Sequence, residues 1–366
     1  MSTVLILLLM GYTLIEPEIC IQGATSGLLL WFNKVLPSLL PFIILSQLLF
    51  KLGVIFKLER YIGSYAQKLF GVSGSSLITF VLGSIGGSPT GAKLTNQLLL
   101  QPNISLVEAQ KTLCFSNNCG PLFIIGTVGT LMLGDVRLGY FLAFIHILSA
   151  LTILVLSRFY RMPNPNKSRL SQKYDDSPAF VTAFTDSVQG GMETIVYVGG
   201  FIIFFSMILN IIKNLEIFNM FVDGVSNFLN VEPIVFEGIL LGSLEFSNGT
   251  AYIAPYYSTH PEVLGILSAV IAFGGFCVFF QSAHILSNTK LSLGLYLLAK
   301  VIQAIFAYVI TVILYPFFVA YTTGVQVVTS YFMISIFVVM FGLIAFVLHN
   351  WSKKDLMALQ KAVLIK

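Results

Sequence analysis

Charge is what this sequence has least of. Only 10% of its 366 residues are Asp, Glu, Lys or Arg, where an ordinary soluble domain has about 25%; 56% are hydrophobic. So few charges do not keep a folded surface in water, so a soluble globule is excluded and most of the exterior faces lipid. Cysteine is also scarce. Cys20, Cys114, Cys119 and Cys277 form no CxxC pair and have no zinc-type Cys/His spacing, so neither a disulfide scaffold nor a metal site is expected. The net charge of +4 is spread over short stretches and forms no dense basic face, which argues against nucleic-acid partners. No Ser/His/Asp order or HExxH motif is present. In Gly86–Lys93, Ala92 separates Gly91 from Lys93, and Leu94 stands where a phosphate loop needs Ser or Thr, so no ATP site, cofactor or enzymatic activity is expected.

What is present is a series of apolar runs. Thr3 to Ile15 lacks the basic start and small-residue cleavage site of a signal peptide, and its roughly 13 residues fall short of the ~20 of a comfortable span. It reads as a short retained or tilted helix. Further runs extend from Leu28 to Phe50, Leu77 to Leu100, Leu113 to Leu133, Leu138 to Leu156, Met192 to Ile212, Ile234 to Ala254, Leu264 to Leu286, Leu291 to Phe318 and Val327 to Leu348. Helices satisfy backbone amides within the segment, and no run shows the alternation of a barrel strand. The expected class is an all-α polytopic membrane protein, multi-pass in a bacterial cell membrane.

Three runs are interrupted by polar and small residues, at Gly83–Gly91, Ser116–Pro121 and Ser247–Thr250. Broken backbone at membrane depth is tolerated only inside protein or beside a watery cavity, so these breaks mark the interior. Lys and Arg collect on the cytoplasmic side. The loop with Lys51, Lys57, Arg60 and Lys68 against Glu59 is net +3. Arg158 to Pro178, a proline-containing linker, is also net +3, and the tail carries Lys353, Lys354, Lys361 and Lys366 against Asp355. All three are placed inside, which makes the C-terminus cytoplasmic.

The two halves are alike. Val81–Ser88 aligns with Leu240–Ser247 at an offset of 159 residues (Gly83 to Gly242), and Gly139–Ala143 aligns with Gly294–Ala299 at an offset of 155 (Gly139 to Gly294) with one residue inserted. Both matches fall in order at nearly one period. The loop corresponding to the first basic one, with Lys213 against Glu216, Asp223 and Glu232, is net −2. Opposite loop charge implies two inverted-topology repeats with re-entrant, broken helices, as in many secondary transporters. The expected organisation is an extra N-terminal helix at 1–20, one repeat at 21–157, a cytoplasmic linker at 158–180, the inverted repeat at 181–320, and a C-terminal helix with a basic tail at 321–366.

Candidate substrate-binding residues follow from the breaks. Ser88 is expected to cap a half-helix starting near Pro89, Thr90 and Gly91, with free amides aimed at a cavity; Ser247, Asn248, Gly249 and Thr250 offer a second such end. Two helix ends facing one cavity suit a small anionic or polar solute. Lys93 sits in an apolar stretch where a charge costs ~3 kcal/mol or more, so it either serves the site or snorkels to the interface. Glu245 is a candidate partner for Lys93 or a receiver of a coupling cation. Asn117 and Asn118 supply amides in a broken helix, or hold that break open, and Gln281, Ser282 and His284 form a polar patch. For His284 and His146, helix-to-helix hydrogen bonding is the favoured role. The expected partners are an anionic small molecule and the lipid bilayer; self-association is left open by the sequence. A non-transporting scaffold for membrane assembly is the alternative class.

Leu36-Pro37-Ser38-Leu39-Leu40-Pro41-Phe42, Gly87–Leu94 and Ser116–Gly129 resemble the sporulation integral membrane protein family that carries the nucleoside-recognition gate domain. That family is distantly similar to concentrative nucleoside transporters. Its sporulation member is implicated in moving dipicolinic acid out of the mother cell across the outer forespore membrane. The resemblance implies a secondary carrier or facilitator in that membrane, with nucleosides or other carboxylates as alternative solutes and a non-transporting membrane scaffold for spore-envelope assembly as the alternative role.

Overall fold

A helix leaves no backbone amide unpaired in lipid, and every element among the described residues of the computed structural model is helical. The structure describes residues 2–100, 104–159, 178–258, 261 and 263–323. Linker residues 160–177 and the expected span from Val327 to Leu348 with its tail lie outside them. The chain divides into two compact units, Met1–Thr311 and Val312–Lys366. The first contains every site residue discussed below. In the second, Thr322 Oγ1 donates to Phe318 O at 3.0 Å, helical back-bonding within the apolar run.

The chain begins with α1 (Ser2–Ile15), an apolar helix too short for a full span. Next, α2 (Pro17–Leu30), a π-helical turn (Trp31–Val35) and α3 (Leu36–Lys51) form one continuous 35-residue apolar rod. Pro17 opens it, in the first turn, where its missing N–H has no intrahelical partner to lose. The first half continues with α4 (Val54–Phe70), α5 (Gly74–Gly86), α6 (Thr90–Leu100), α7 (Leu106–Ser116), a π-helical segment (Phe123–Met132) and α8 (Val136–Ser157). The second half has α9 (Phe180–Lys213), α10 (Glu216–Leu229), α11 (Pro233–Leu244), α12 (Phe246–Ile253), α13 (Val263–Phe273), α14 (Gly275–Ile285) and α15 (Leu293–Thr323). Each half thus runs in the same order: long span, amphipathic helix, broken hairpin, broken span, long span. Among the described residues five helices are long and apolar enough to cross a membrane, or six if α4 and α5, bent by 91°, count as one. This is the architecture of a polytopic membrane protein.

Local chemistry sets several helix starts. Ser73 accepts from Ser76 N–H (3.2 Å) at α5, and Ser105 accepts from Glu108 N–H (3.2 Å) at α7. Asp135 caps α8 by accepting from Arg137 N–H (2.8 Å), and the Arg137 guanidinium holding it holds its carboxyl below the usual range. Two stretches that the sequence presents as charged loops, Lys51–Lys68 and Lys213–Glu232, fold largely as α4 and α10. Loop charge alone hides their helical periodicity. Both are amphipathic, the kind of helix that lies in a membrane interface.

A fourth break, between α13 and α14, was not among the three expected. Gly274 and Gly275 there have φ of +79° and +75°, a region L side chains rarely adopt, and a Cβ on Gly275 would press on the Gly242 and Leu244 carbonyls. It stands in the second half where Asn117–Gly120 stands in the first.

The first span of each half packs antiparallel against the other. Lys51, at the end of α3, pairs with Asp186 near the start of α9 (3.1 Å). Trp31 Nε1 donates to Ile195 O (3.0 Å), and Asn210 Nδ2, near the end of α9, donates to Ile19 O (2.7 Å). Gly23 and Gly27 let the helices approach, since a Cβ on either would meet Asn210 or Ser206. Between them Val35, Leu39 and Ile43 pack with Ile195, Val198 and Ile202.

Candidate functional site

Three breaks and both first spans converge on one cavity. Ser88 comes from the α5–α6 break, Cys119 and Gly120 from the break after α7, and Glu245, Phe246 and Ser247 from the α11–α12 break; α14 adds Gln281. Val35 and Leu39 of the first rod and Val198 and Ile202 of α9 form apolar wall. Phe123 and Phe246, one from each half, pack edge to face with centroids 5.3 Å apart. The space is about 30 Å³, enough for a water or two. Of the expected site residues, Ser88, Glu245, Ser247 and Gln281 line it; Pro89, Thr90, Gly91, Lys93, Asn117, Asn118, Asn248, Gly249 and Thr250 stand behind this lining.

In the first hairpin, glycine is required by backbone proximity. A Cβ on Gly83 or Gly91 would overlap the Ser116 carbonyl at the end of α7. The expected cap is not made. Ser88 Oγ donates to Asn118 O (3.0 Å) instead of accepting an α6 amide, and α6 begins at Thr90 with Lys93 N–H donating to Pro89 O (3.1 Å). The Ala92 amide is met by Asn117 Oδ1 (3.4 Å) and the Thr90 hydroxyl donates to Gly86 O (3.2 Å). The amides expected to face the cavity are therefore partly taken up within the protein. Lys93 turns away from Glu245: its Nζ donates to Gly190 O (2.7 Å) and Thr194 Oγ1 (2.6 Å) on α9. The long side chain spans the gap from α6 to α9, where carbonyl and hydroxyl acceptors solvate the ammonium.

The second hairpin has the same close glycine packing, with Gly249 against Gly242, but a different cap. Glu245, fully buried, holds the start of α12: its carboxylate accepts from Ser247 N–H (3.1 Å) and Asn248 N–H (2.7 Å). The helix end expected to receive a solute anion is thus occupied by the protein's own carboxylate, which suits the positive end of the helix dipole. Asn248 Nδ2 reaches Ser206 Oγ on α9 (2.6 Å), and Thr250 Oγ1 donates to Ser247 O (2.8 Å). The Ser247 hydroxyl is buried in the cavity wall beside the Glu245 carboxylate and makes no hydrogen bond of good geometry among the described residues. Gln281 Nε2 contacts Cys277 Sγ (3.2 Å).

Behind the cavity lies a polar network around the α7 break. Asn117 Nδ2 donates to Ser282 Oγ (2.9 Å) and Tyr296 OH (2.6 Å), and Asn118 Nδ2 donates to Ser84 Oγ (3.0 Å) and Phe115 O (2.8 Å). From α15, Lys300 Nζ donates to Asn117 O (3.0 Å) and Gln303 Oε1 (2.7 Å), and Gln303 Nε2 donates to Asn118 Oδ1 (3.1 Å). His146 Nε2 accepts from Cys119 N–H (3.0 Å), which is helix-to-break hydrogen bonding. His284 instead packs on the Tyr197 ring (4.6 Å between centroids). Lys300, Gln303 and Tyr296 were missed in the sequence. The signal that singled out Lys93, a charge inside an apolar run, also marks Lys300 within Leu291–Phe318.

A polytopic helical membrane protein with a polar cavity at converging helix breaks is thus the class that fold and site define. The chain is 29% identical over 338 residues to the sporulation integral membrane protein YlbJ of Bacillus subtilis (strain 168), an alignment covering 86% of this chain and 82% of that protein. It is therefore similar, over most of its length, to a sporulation integral membrane protein. No family model matches the chain, and no solved structure matches it.

Proposed function

We propose that the chain is a secondary carrier or facilitator, not an enzyme, that moves a small polar solute across a bacterial membrane by exposing one cavity alternately to either side. The observation that carries this reading is the cavity itself, where Ser88 of one half meets Glu245, Ser247 and Gln281 of the other. The repeated element order and the antiparallel packing of the two first spans support two inverted halves, in which case the same hinge geometry serves both faces. The basic segments, which favour the cytoplasmic side, support a C-terminus inside.

For the solute, similarity to a sporulation membrane protein and resemblance to the gate-domain family favour dipicolinic acid, carried out of the mother cell across the outer forespore membrane. Nucleosides and other carboxylates are the competing solutes. Two physical conditions apply. A cavity of about 30 Å³ is far below the ~300 Å³ or more of a small-molecule pocket, so the hairpins must separate before a pyridine ring enters. A dianion also meets Glu245 in the wall, so it binds only when that charge is neutralised or withdrawn with α12. Lys93 and Lys300 stand behind the lining.

The test is flux into liposomes carrying the purified full-length protein. Saturable movement of labelled dipicolinate, competed by other pyridine carboxylates, is expected. Saturable nucleoside flux without dipicolinate flux would reassign the solute, and no saturable flux of any of these would leave the scaffold role as the better account.

A further inference from the structure

The α7 break ends in backbone carbonyls, and each is accounted for differently. Ser116 O lies between Gly83 and Gly91; Asn118 O accepts from the Ser88 hydroxyl (3.0 Å); Asn117 O accepts from the Lys300 ammonium (3.0 Å). Lys300 is 3% exposed, within the apolar body of α15. Among the described residues no ion pair includes it. Its second partner, Gln303 Oε1 (2.7 Å), is itself oriented by Asn118. The surroundings of the ammonium are therefore a helix carbonyl end and an amide oxygen. These are the oxygen donors with which unwound helices and half-helix C-termini in transporters hold a free monovalent cation.

We propose that Lys300 is a tethered cation occupying the place of a free coupling ion at this break, so that the first half is locked without sodium. The positive charge arrives on a covalent stem from the second half and joins α7 to α15. The break is then always filled, and a sodium gradient has nothing to act on here. Only this last consequence rests on the transport reading; the cation site stands or falls independently of it.

The experiment is thermal unfolding of the purified full-length protein in sodium chloride and in N-methylglucamine chloride. Wild type is expected to melt at the same temperature in both. Lys300→Ala is expected to melt lower and to recover, saturably, with propylammonium or sodium, whereas Lys300→Met melts lower without recovery. Saturable stabilisation of wild type by sodium overturns the proposal, and so does a Lys300→Met protein as stable as wild type or a folded Lys300→Ala protein that no cation restores. Should neither variant fold, the wild-type comparison still decides. Where solute flux is found, it should be equal with and without a sodium gradient, and sodium-dependent flux overturns the proposal. Absence of any flux counts against the carrier reading and leaves the melting result decisive for the site.

Discussion

The two broken hairpins make the same turn by different means. In α5–α6 the exposed groups of the break are met from outside: Asn117 takes the Ala92 amide, and Asn118 takes the Ser88 hydroxyl through its carbonyl. In α11–α12 the hairpin satisfies itself, with Glu245 capping the helix it precedes. The common part is steric, a glycine on each arm, Gly83 with Gly91 and Gly242 with Gly249, so that two backbones pass where no side chain fits. The difference lies in dependence. The first hairpin is stable only while docked on the α7 break, whereas the second carries its own terminus and is the better suited to move as a unit.

The comparison can be broken most severely at the shared contact. Gly91→Leu and Gly249→Leu should each prevent recovery of folded protein, because the side chain meets backbone that has no room to yield; the cost should exceed the ~1–3 kcal/mol typical of overpacking. Monodispersity after purification reads this out, and a folded Gly249→Leu would remove the steric half of the comparison. Asn117→Ala takes the amide donor from the Tyr296 and Ser282 hydroxyls, which keep each other (3.5 Å) and, for Ser282, Val278 O (2.9 Å), and it leaves the Ala92 amide unmet. At about 1–3 kcal/mol for each unmet buried group, it should lower the melting temperature more than loss of the Glu245 cap does in the second break. Glu245→Ala, which strips a helix cap, should cost about 1–2 kcal/mol, with Glu245→Gln retaining part of it; an Asn117→Ala loss smaller than that of Glu245→Ala would reverse the dependence argued above.

The finest distinction is between the two cavity serines. Ser88→Ala removes a donor from Asn118 O and should cost about 1 kcal/mol. Ser247→Ala removes a hydroxyl that makes no hydrogen bond of good geometry among the described residues, so stability should stay within about 0.5 kcal/mol while solute flux falls. A Ser247→Ala protein that transports like wild type would take Ser247 out of the site.

Part of the cavity lining was legible because breaks are local. Gly, Ser, Asn and Pro inside an apolar run announce a helix end wherever it lies, and this pattern marks Ser88, Glu245 and Ser247, while Gln281 stands out only as part of a polar patch. Gly274–Gly275 also interrupts an apolar run, but with no polar residue beside it the local signal is weaker. Misreadings arose where a residue had several chemically reasonable partners. Ser88 resembled a cap but bonds across to Asn118, and Lys93 resembled a partner for Glu245 but is held by α9. Lys300 escaped notice although its context matches that of Lys93.

Composition alone settled that this chain lives in lipid as a set of interrupted helices, because scarcity of charge and clustering of helix breakers are properties of short segments. Tertiary structure decided which group answers which break. Asn117 and Lys300 are 183 residues apart, and Asn117 and Ser282 are 165 apart. A polar group buried in a membrane interior is costly until it finds a partner, but which one it meets depends on how distant helices pack, and no local pattern encodes that choice.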